Sequence, residues 1–144
     1  MKNDLSKIGE VIRNFESFGD EKDIPLPVIH KICIVLDELL NNIISYAYQD
    51  KKEHTVDINI KLIGERLEIK ITDDGFPFNP LAMLPPDTKL GLEERELGGL
   101  GIHLVKNIMD EYLYKRSKGE NIIVLVKSKT STYIKDVLKT KSKN

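Results

Sequence analysis

At 144 residues the chain is the length of a single domain, since domains run to about 100–200 residues, and that size buries enough surface to fold without staples. Its 22 basic and 23 acidic residues leave a net charge of −1 and a pI near 6.3, which argues against direct nucleic-acid binding. The single cysteine, Cys33, excludes a disulfide framework, and with three scattered histidines no zinc cluster is expected. No apolar run reaches the ~18 residues of a membrane span, and the opening MKNDLSKIGEV lacks a signal-peptide core. A soluble, cytoplasmic setting with no membrane partner is the expectation.

Residues 4–18 place Leu5, Ile8, Ile12 and Phe15 at helical spacing and predict an amphipathic helix. Gly19-Asp20 ends it, and a loop follows to Pro27. A second helix is predicted from about Pro27 to Tyr48; its apolar residues cover more than one face, so it is expected to be buried. Val56, Ile58, Ile60 and Leu62, then Leu67, Ile69 and Ile71, alternate with polar residues around Gly64-Glu65, the pattern of a hairpin with one buried face. Residues 73–97, with four prolines, read as a long irregular loop, either a functional lid or a disordered segment. A third helix is predicted from Gly99 to about Tyr112 and a last strand at Ile122–Val126. Helices on one face of a mixed, mostly antiparallel sheet, a two-layer α+β sandwich, accommodate this order. From Lys127 onward six lysines face one acid, Asp136, which reads as a solvated tail; the expected division is a domain at 1–128 and a basic tail at 129–144.

Three segments carry polar residues where a bland core would have none. Glu38 and Asn42 stand four apart on the second helix and share a side; alone they could be its wet edge. Asp73-Asp74-Gly75 at the end of a strand could be a turn, or a carboxylate facing a pocket beside a glycine that lets a ligand approach. Gly98-Gly99-Leu100-Gly101-Ile102 opens a helix, which either caps it or offers backbone N–H groups to an anion such as phosphate. It is not a P-loop, because no Gly-Lys-Ser/Thr follows.

Taken in order, Glu-x-x-x-Asn, Asp-x-Gly-x-Pro, a long loop and Gly-Gly-Leu-Gly resemble the GHKL ATPases. That superfamily includes gyrase, the mismatch-repair protein MutL and the histidine kinases, all with the Bergerat ATP-binding fold. Within it, Gly99 to Val105, continuing to Met109-Asp110-Glu111, and the ending Tyr114-x-Arg116-x-x-Gly119-x-Asn121 are most similar to the anti-sigma-factor serine/threonine kinases. The resemblance covers about residues 5–128.

The resemblance implies ATP and Mg²⁺ as cofactors. Asn42 would be the metal ligand, and Glu38 the catalytic general base toward the attacking hydroxyl. Asp73 would accept the adenine amine, with Gly75 and Pro77 shaping the base pocket. Gly98, Gly99, Leu100, Gly101 and Ile102 would hold the phosphates through backbone N–H groups. Residues 79–97 would be the ATP lid, with Arg95 its candidate γ-phosphate contact. The implied partners are a STAS-domain anti-anti-sigma protein, a sigma factor and a second copy of the chain in a homodimer. The alternatives are a non-catalytic ATP-binding regulatory module and the ATP-binding domain of a sensor histidine kinase. Two departures stand out. Relatives usually begin with a strand, whereas here a helix is predicted almost from Met1, so the sheet is expected to lack that strand or the chain to be a trimmed domain. Tyr46-Ala47-Tyr48 stands where relatives often have His-Ala-Tyr. His30 and His103 are read as helix-surface residues.

Overall fold

The computed structural model describes residues 1–82 and 97–130, with only the backbone of 97–100. Most of the proposed lid, including Arg95, and the end of the basic tail therefore lie outside the described residues. Helix α1 (Ile8–Glu21) follows a short 3-10 turn, Leu5–Lys7, whose Asp4 side chain accepts the Ser6 amide at 2.9 Å. Ile8 and Phe15 face inward from α1, and Gly19 lets it press on the next helix: a Cβ there would meet Ile29 at 2.8 Å. Helix α2 (Leu26–Tyr46) starts with proline in its first turn, where the missing N–H costs nothing. Val28, Ile32, Val35, Leu36, Leu39, Leu40 and Ile43 are almost wholly removed from solvent, each worth about 1.5–3 kcal/mol of hydrophobic transfer. This helix is the spine of the core.

Strands β1 (Val56–Ile63), β2 (Arg66–Asp73), β3 (Glu111–Ser117) and β4 (Glu120–Ser128) form one sheet in the order β1-β2-β4-β3. Every pairing among the described strands is antiparallel, in line with the expected mostly antiparallel sheet. The period of two puts Leu67, Ile69 and Ile71 under the helices, and the next inward position is Asp73. Alternation alone therefore buries that carboxylate. It stands opposite Asn121, the inward residue at the same level of β4.

Two details depart from the sequence expectation. The third helix, α3 (Leu97–Ile108), ends four residues short of Tyr112, and the chain turns into β3 instead. Lys127, 3% exposed, donates from Nζ to the Ile108 carbonyl at 2.9 Å, and the Asp110 amide and carboxylate bond the β4 backbone at Val126 and Ser128. These contacts pull the chain off the helix and onto the sheet. Positive φ at Lys118 and Gly119 then closes the β3–β4 hairpin. The second departure is at the N-terminus. Lys2 bridges Thr55, and backbone bonds of 2.7–3.0 Å join Met1 and Asn3 to Val56 and His54, so a short antiparallel stretch does run along β1 before the first helix. Among the described residues no helix is long and apolar enough to cross a membrane. His30 and His103 are exposed on α2 and α3.

Candidate functional site

Helix α2 is touched at two levels by the other site segments: Gly101 of α3 packs on Glu38, and Gly75 after β2 packs on Ala47, just past the end of the helix. Asn42 is buried on α2, and its Nδ2 donates to the Glu38 carbonyl at 2.7 Å. Committing the nitrogen leaves Oδ1, the hard-cation donor, as the atom without a hydrogen bond among the described residues. The residue thus fits a magnesium ligand by the chemistry of the atom it has left.

Glu38, one helical turn earlier, is half-buried. Its side chain lies directly against Gly101, where a Cβ would overlap the carboxyl group and approach Cγ to 2.7 Å. Only glycine leaves this space. Burial, and behind it the neighbouring Asp37 charge, raises the Glu38 pKa above the usual carboxylate value, making it the better proton acceptor. Gly98, Gly99 and Leu100 lie in the first turn of α3, whose leading N–H groups have no partner within the helix. Ile102 is wholly buried in the core, so only its backbone could serve a ligand.

The opposite end of the site is built around Asp73, 3% exposed. Its Oδ2 accepts from the Gly75 amide at 2.9 Å and from Asn121 Nδ2 at 3.0 Å. Both donors go to the same oxygen, so Oδ1 is left without a hydrogen-bond partner among the described residues. Burial raises the carboxyl pKa, and the two donors work against that rise. Gly75 is pressed against Ala47 at the end of α2: a Cβ would lie 2.8 Å from the Ala47 methyl, and the Phe76 amide donates to the Ala47 carbonyl at 2.7 Å. Pro77 is exposed and lines, with Gly75 and Phe76, a cavity of about 300 Å³ that Glu38, Asn42 and Asp73 do not line.

Asn121 is the residue whose role sequence reasoning missed. It is 1% exposed and ties the whole loop after β2. Its Nδ2 also donates to the Phe76 carbonyl at 2.7 Å, while its Oδ1 accepts from Tyr114 (2.6 Å), Arg116 (3.1 Å) and the Phe78 amide (3.2 Å). The motif containing it was visible; the register that sets it opposite Asp73 was not.

A model of the histidine kinase-like ATPase domain matches residues 1–127. The chain belongs to that family. It is 27% identical over 94 residues to serine/threonine-protein kinase BtrW of Bordetella bronchiseptica, a match covering 65% of this chain and 66% of that one. It is 26% identical over 143 residues to an anti-sigma F factor of Oceanobacillus iheyensis, covering 90% and 98%. Several relatives it matches are spanned over less than two thirds of their own length, such as 61% of the serine-protein kinase RsbW of Bacillus subtilis. A blue-light activated histidine kinase of Erythrobacter litoralis shares the fold at a TM-score of 0.58 and 18% identity, over 78% of this chain and 34% of that one.

The contact between Gly101 and Glu38 gives a direct test of the site's assembly. Gly101→Ala is expected to expel the Glu38 carboxylate and, where Glu38 acts as a general base, to lower phosphoryl transfer by more than about tenfold, a part of the about 10²–10⁴-fold that such a base supplies. Nucleotide titration should show a smaller change, since Asp73 is untouched. Transfer at the parental rate would mean that Glu38 works from another position or not at all.

Proposed function

We propose that the chain is an ATP- and Mg²⁺-dependent serine/threonine protein kinase of the anti-sigma-factor type, acting in the cytoplasm. It phosphorylates a STAS-domain anti-anti-sigma protein and regulates a sigma factor by exchanging partners. The carrying observation is Glu38. A half-buried carboxylate held by Gly101 at the first turns of α3, beside the proposed phosphate site, repels a polyphosphate and lowers its affinity. Asn42, Asp73 and the glycines suffice for binding alone, so Glu38 is better explained by chemistry than by recognition. The relatives named serine-protein kinase and anti-sigma F factor support the same reading.

In this reading Asn42 Oδ1 would hold the metal. The metal, when bound, offsets phosphate charge. Asp73 Oδ1 accepts the adenine amine while Gly75, Asn121 and Arg116 keep its loop rigid; Gly75 and Pro77 border the base. The N–H groups from Gly98 to Ile102 bind phosphate oxygens, and Arg95 is the proposed γ-phosphate contact. Glu38 removes the proton from the substrate serine or threonine hydroxyl as its oxygen attacks the γ-phosphorus, and ADP leaves. Residues 1–128 form the catalytic domain, 129–144 a basic tail, and the working assembly is a homodimer.

The test is incubation with labelled ATP, Mg²⁺ and STAS proteins from the same genome. Acid-stable label on a serine or threonine of one of them is the expected result. Tight ATP binding with no transfer to any such protein would overturn the kinase reading in favour of a regulatory ATP-binding module.

A further inference from the structure

Beyond the Asp73 site, the cavity of about 300 Å³ is lined on one side by Asp50 and His54, from the connection between α2 and β1, and on the other by Asp74 and Gly75. His54 bridges the two sides. Its Nε2 lies 2.7 Å from Asp50 Oδ1 and its Nδ1 lies 3.1 Å from Asp74 Oδ1. An ionised carboxylate can only accept, so both contacts are hydrogen bonds only when both ring nitrogens carry protons. The neutral ring leaves one bare nitrogen lone pair facing a negative oxygen. The geometry is therefore that of an imidazolium.

The surroundings agree. The Tyr48 ring stacks on His54 at 4.6 Å between centroids, a face that favours a cation. Tyr48 lines the same cavity; its Oη is buried without a hydrogen-bond partner among the described residues, and burial together with nearby carboxylates pushes its pKa up, so it stays neutral. On the connection, the Lys52 amide donates to Asp50 Oδ1 at 3.2 Å, and Glu53 is paired with Lys2. On the N-terminal stretch, Asn3 Oδ1 accepts the His54 amide. From the sheet side come Asp73 and the Arg116 guanidinium, which donates to the Gly75 carbonyl at 2.7 Å. The direct bond to Asp50, with the charges of Asp50 and Asp74 behind it, outweighs the desolvation of the ring, raising the His54 pKa, and the same bond lowers that of Asp50. The His54 side chain is 18% exposed, enough to exchange protons with solvent.

Asp74 sits in the chain between Asp73 and Gly75, inside the turn that the Gly75 amide closes onto Asp73 Oδ2. Anchoring Asp74 to Asp50 through His54 therefore fixes the turn that presents Asp73. We propose that His54 is a positioning residue for the nucleotide site: its imidazolium ties the Asp73–Gly75 turn to the connection between α2 and β1, and adenine-nucleotide affinity falls as pH rises through its titration. This inference rests on the nucleotide reading of Asp73. The sign follows from the bridge, which exists with the ring protonated and is lost when the proton leaves. Because the folded pKa is raised, the loss falls above the ordinary histidine value of about 6.5.

The experiment combines two measurements on the full chain. NMR titration of the His54 ring should give a midpoint above that of a free histidine, falling toward it in Asp74→Asn. Calorimetric titration with ADP, from about pH 5.5 to 8.5, compares the parent with His54→Gln and Asp74→Asn at each pH, so that ionisation of the nucleotide cancels. The parent should bind about two- to fivefold more tightly than either variant at the acid end, the size of one exposed charge-assisted contact, and converge with them at the alkaline end. Should His54→Gln fail to fold, Asp74→Asn carries the same comparison. An affinity ratio that is constant with pH, or a His54 that titrates as a free histidine, overturns the proposal. If no form binds nucleotide at any pH, the nucleotide reading falls and the proposal with it, even with His54 raised. Failure of the proposal alone would leave ADP binding intact, with a parent-to-variant affinity ratio indifferent to pH.

Discussion

Asp73→Asn is expected to abolish measurable preference for adenine nucleotides while leaving the chain folded and at least as heat-stable at pH 7. Gly75 N–H and Asn121 Nδ2 both donate to Oδ2, so the asparagine oxygen must turn toward them. The other position, where Asp73 offers Oδ1 to the adenine amine, then holds an NH₂ group, and two donors face each other. Flipping the amide only moves the conflict to Gly75 and Asn121. One buried unmatched pair costs about 1–3 kcal/mol, or about 5- to 150-fold in affinity. Stability moves the other way. Burial raises the folded-state pKa of Asp73, so the charged form opposes folding, and that penalty is complete at pH values above the raised pKa. A neutral amide with the same two donors avoids it. Thermal melts should therefore show the parent gaining relative stability as pH falls through the Asp73 titration, with the variant lacking that gain. Unchanged affinity for ADP would remove Asp73 from base recognition. By the same donor–acceptor argument, the parent should prefer ATP to GTP, whose base presents a carbonyl at the equivalent position.

The elements that carry strict periodicity were legible in the sequence. In β1 and β2 every second residue is apolar, and extending the β2 alternation by one step from Ile71 places Asp73 inward. The helical spacing of Glu38 and Asn42 likewise places both on one side of α2. β3 was lost because Tyr112-Leu113-Tyr114-Lys115-Arg116 alternates weakly; it is an edge strand, mostly exposed, and its residues do not sort into an apolar and a polar face. Losing β3 extended α3 and hid the contact of Arg116 with the Gly75 carbonyl. Lys127, counted with the basic tail by charge alone, is buried because its ammonium takes the Ile108 carbonyl at the end of α3. The bonds of Asn121 to Asp73 and of His54 to Asp74 were hidden for a different reason. They span 48 and 20 residues, and only strand register and chain crossing bring their ends together. Composition and periodicity report which face a residue occupies, not which polar group waits for it there.

The substitution that separates catalysis from binding is Glu38→Ala. It should leave ATP affinity within a few-fold of the parent, or slightly tighter, and remove about 10²–10⁴-fold of phosphoryl transfer, the usual worth of a general base. Tighter binding is expected because the carboxylate at the first turns of α3 repels phosphate charge, and its removal ends that repulsion. Asn42→Ala should behave in the opposite sense. It deletes the oxygen proposed to hold Mg²⁺ and also the donor to the Glu38 carbonyl, so Mg²⁺-dependent nucleotide affinity itself falls. The two residues are one helical turn apart, and a general disturbance of α2 would move both readouts together in both variants. Opposite patterns therefore identify separate roles. The pH profile gives a second handle. Because burial, then Asp37, raises the Glu38 pKa, transfer in the parent should fall on acidification at a pH above the ordinary carboxylate range, and the residual rate of Glu38→Ala should lack that inflection. If Glu38→Ala transfers phosphate at the parental rate, Glu38 is not the base. If the parent binds ATP tightly and both variants change binding alone, with no transfer in any, the site is a regulatory nucleotide switch whose half-buried carboxylate tunes affinity rather than chemistry.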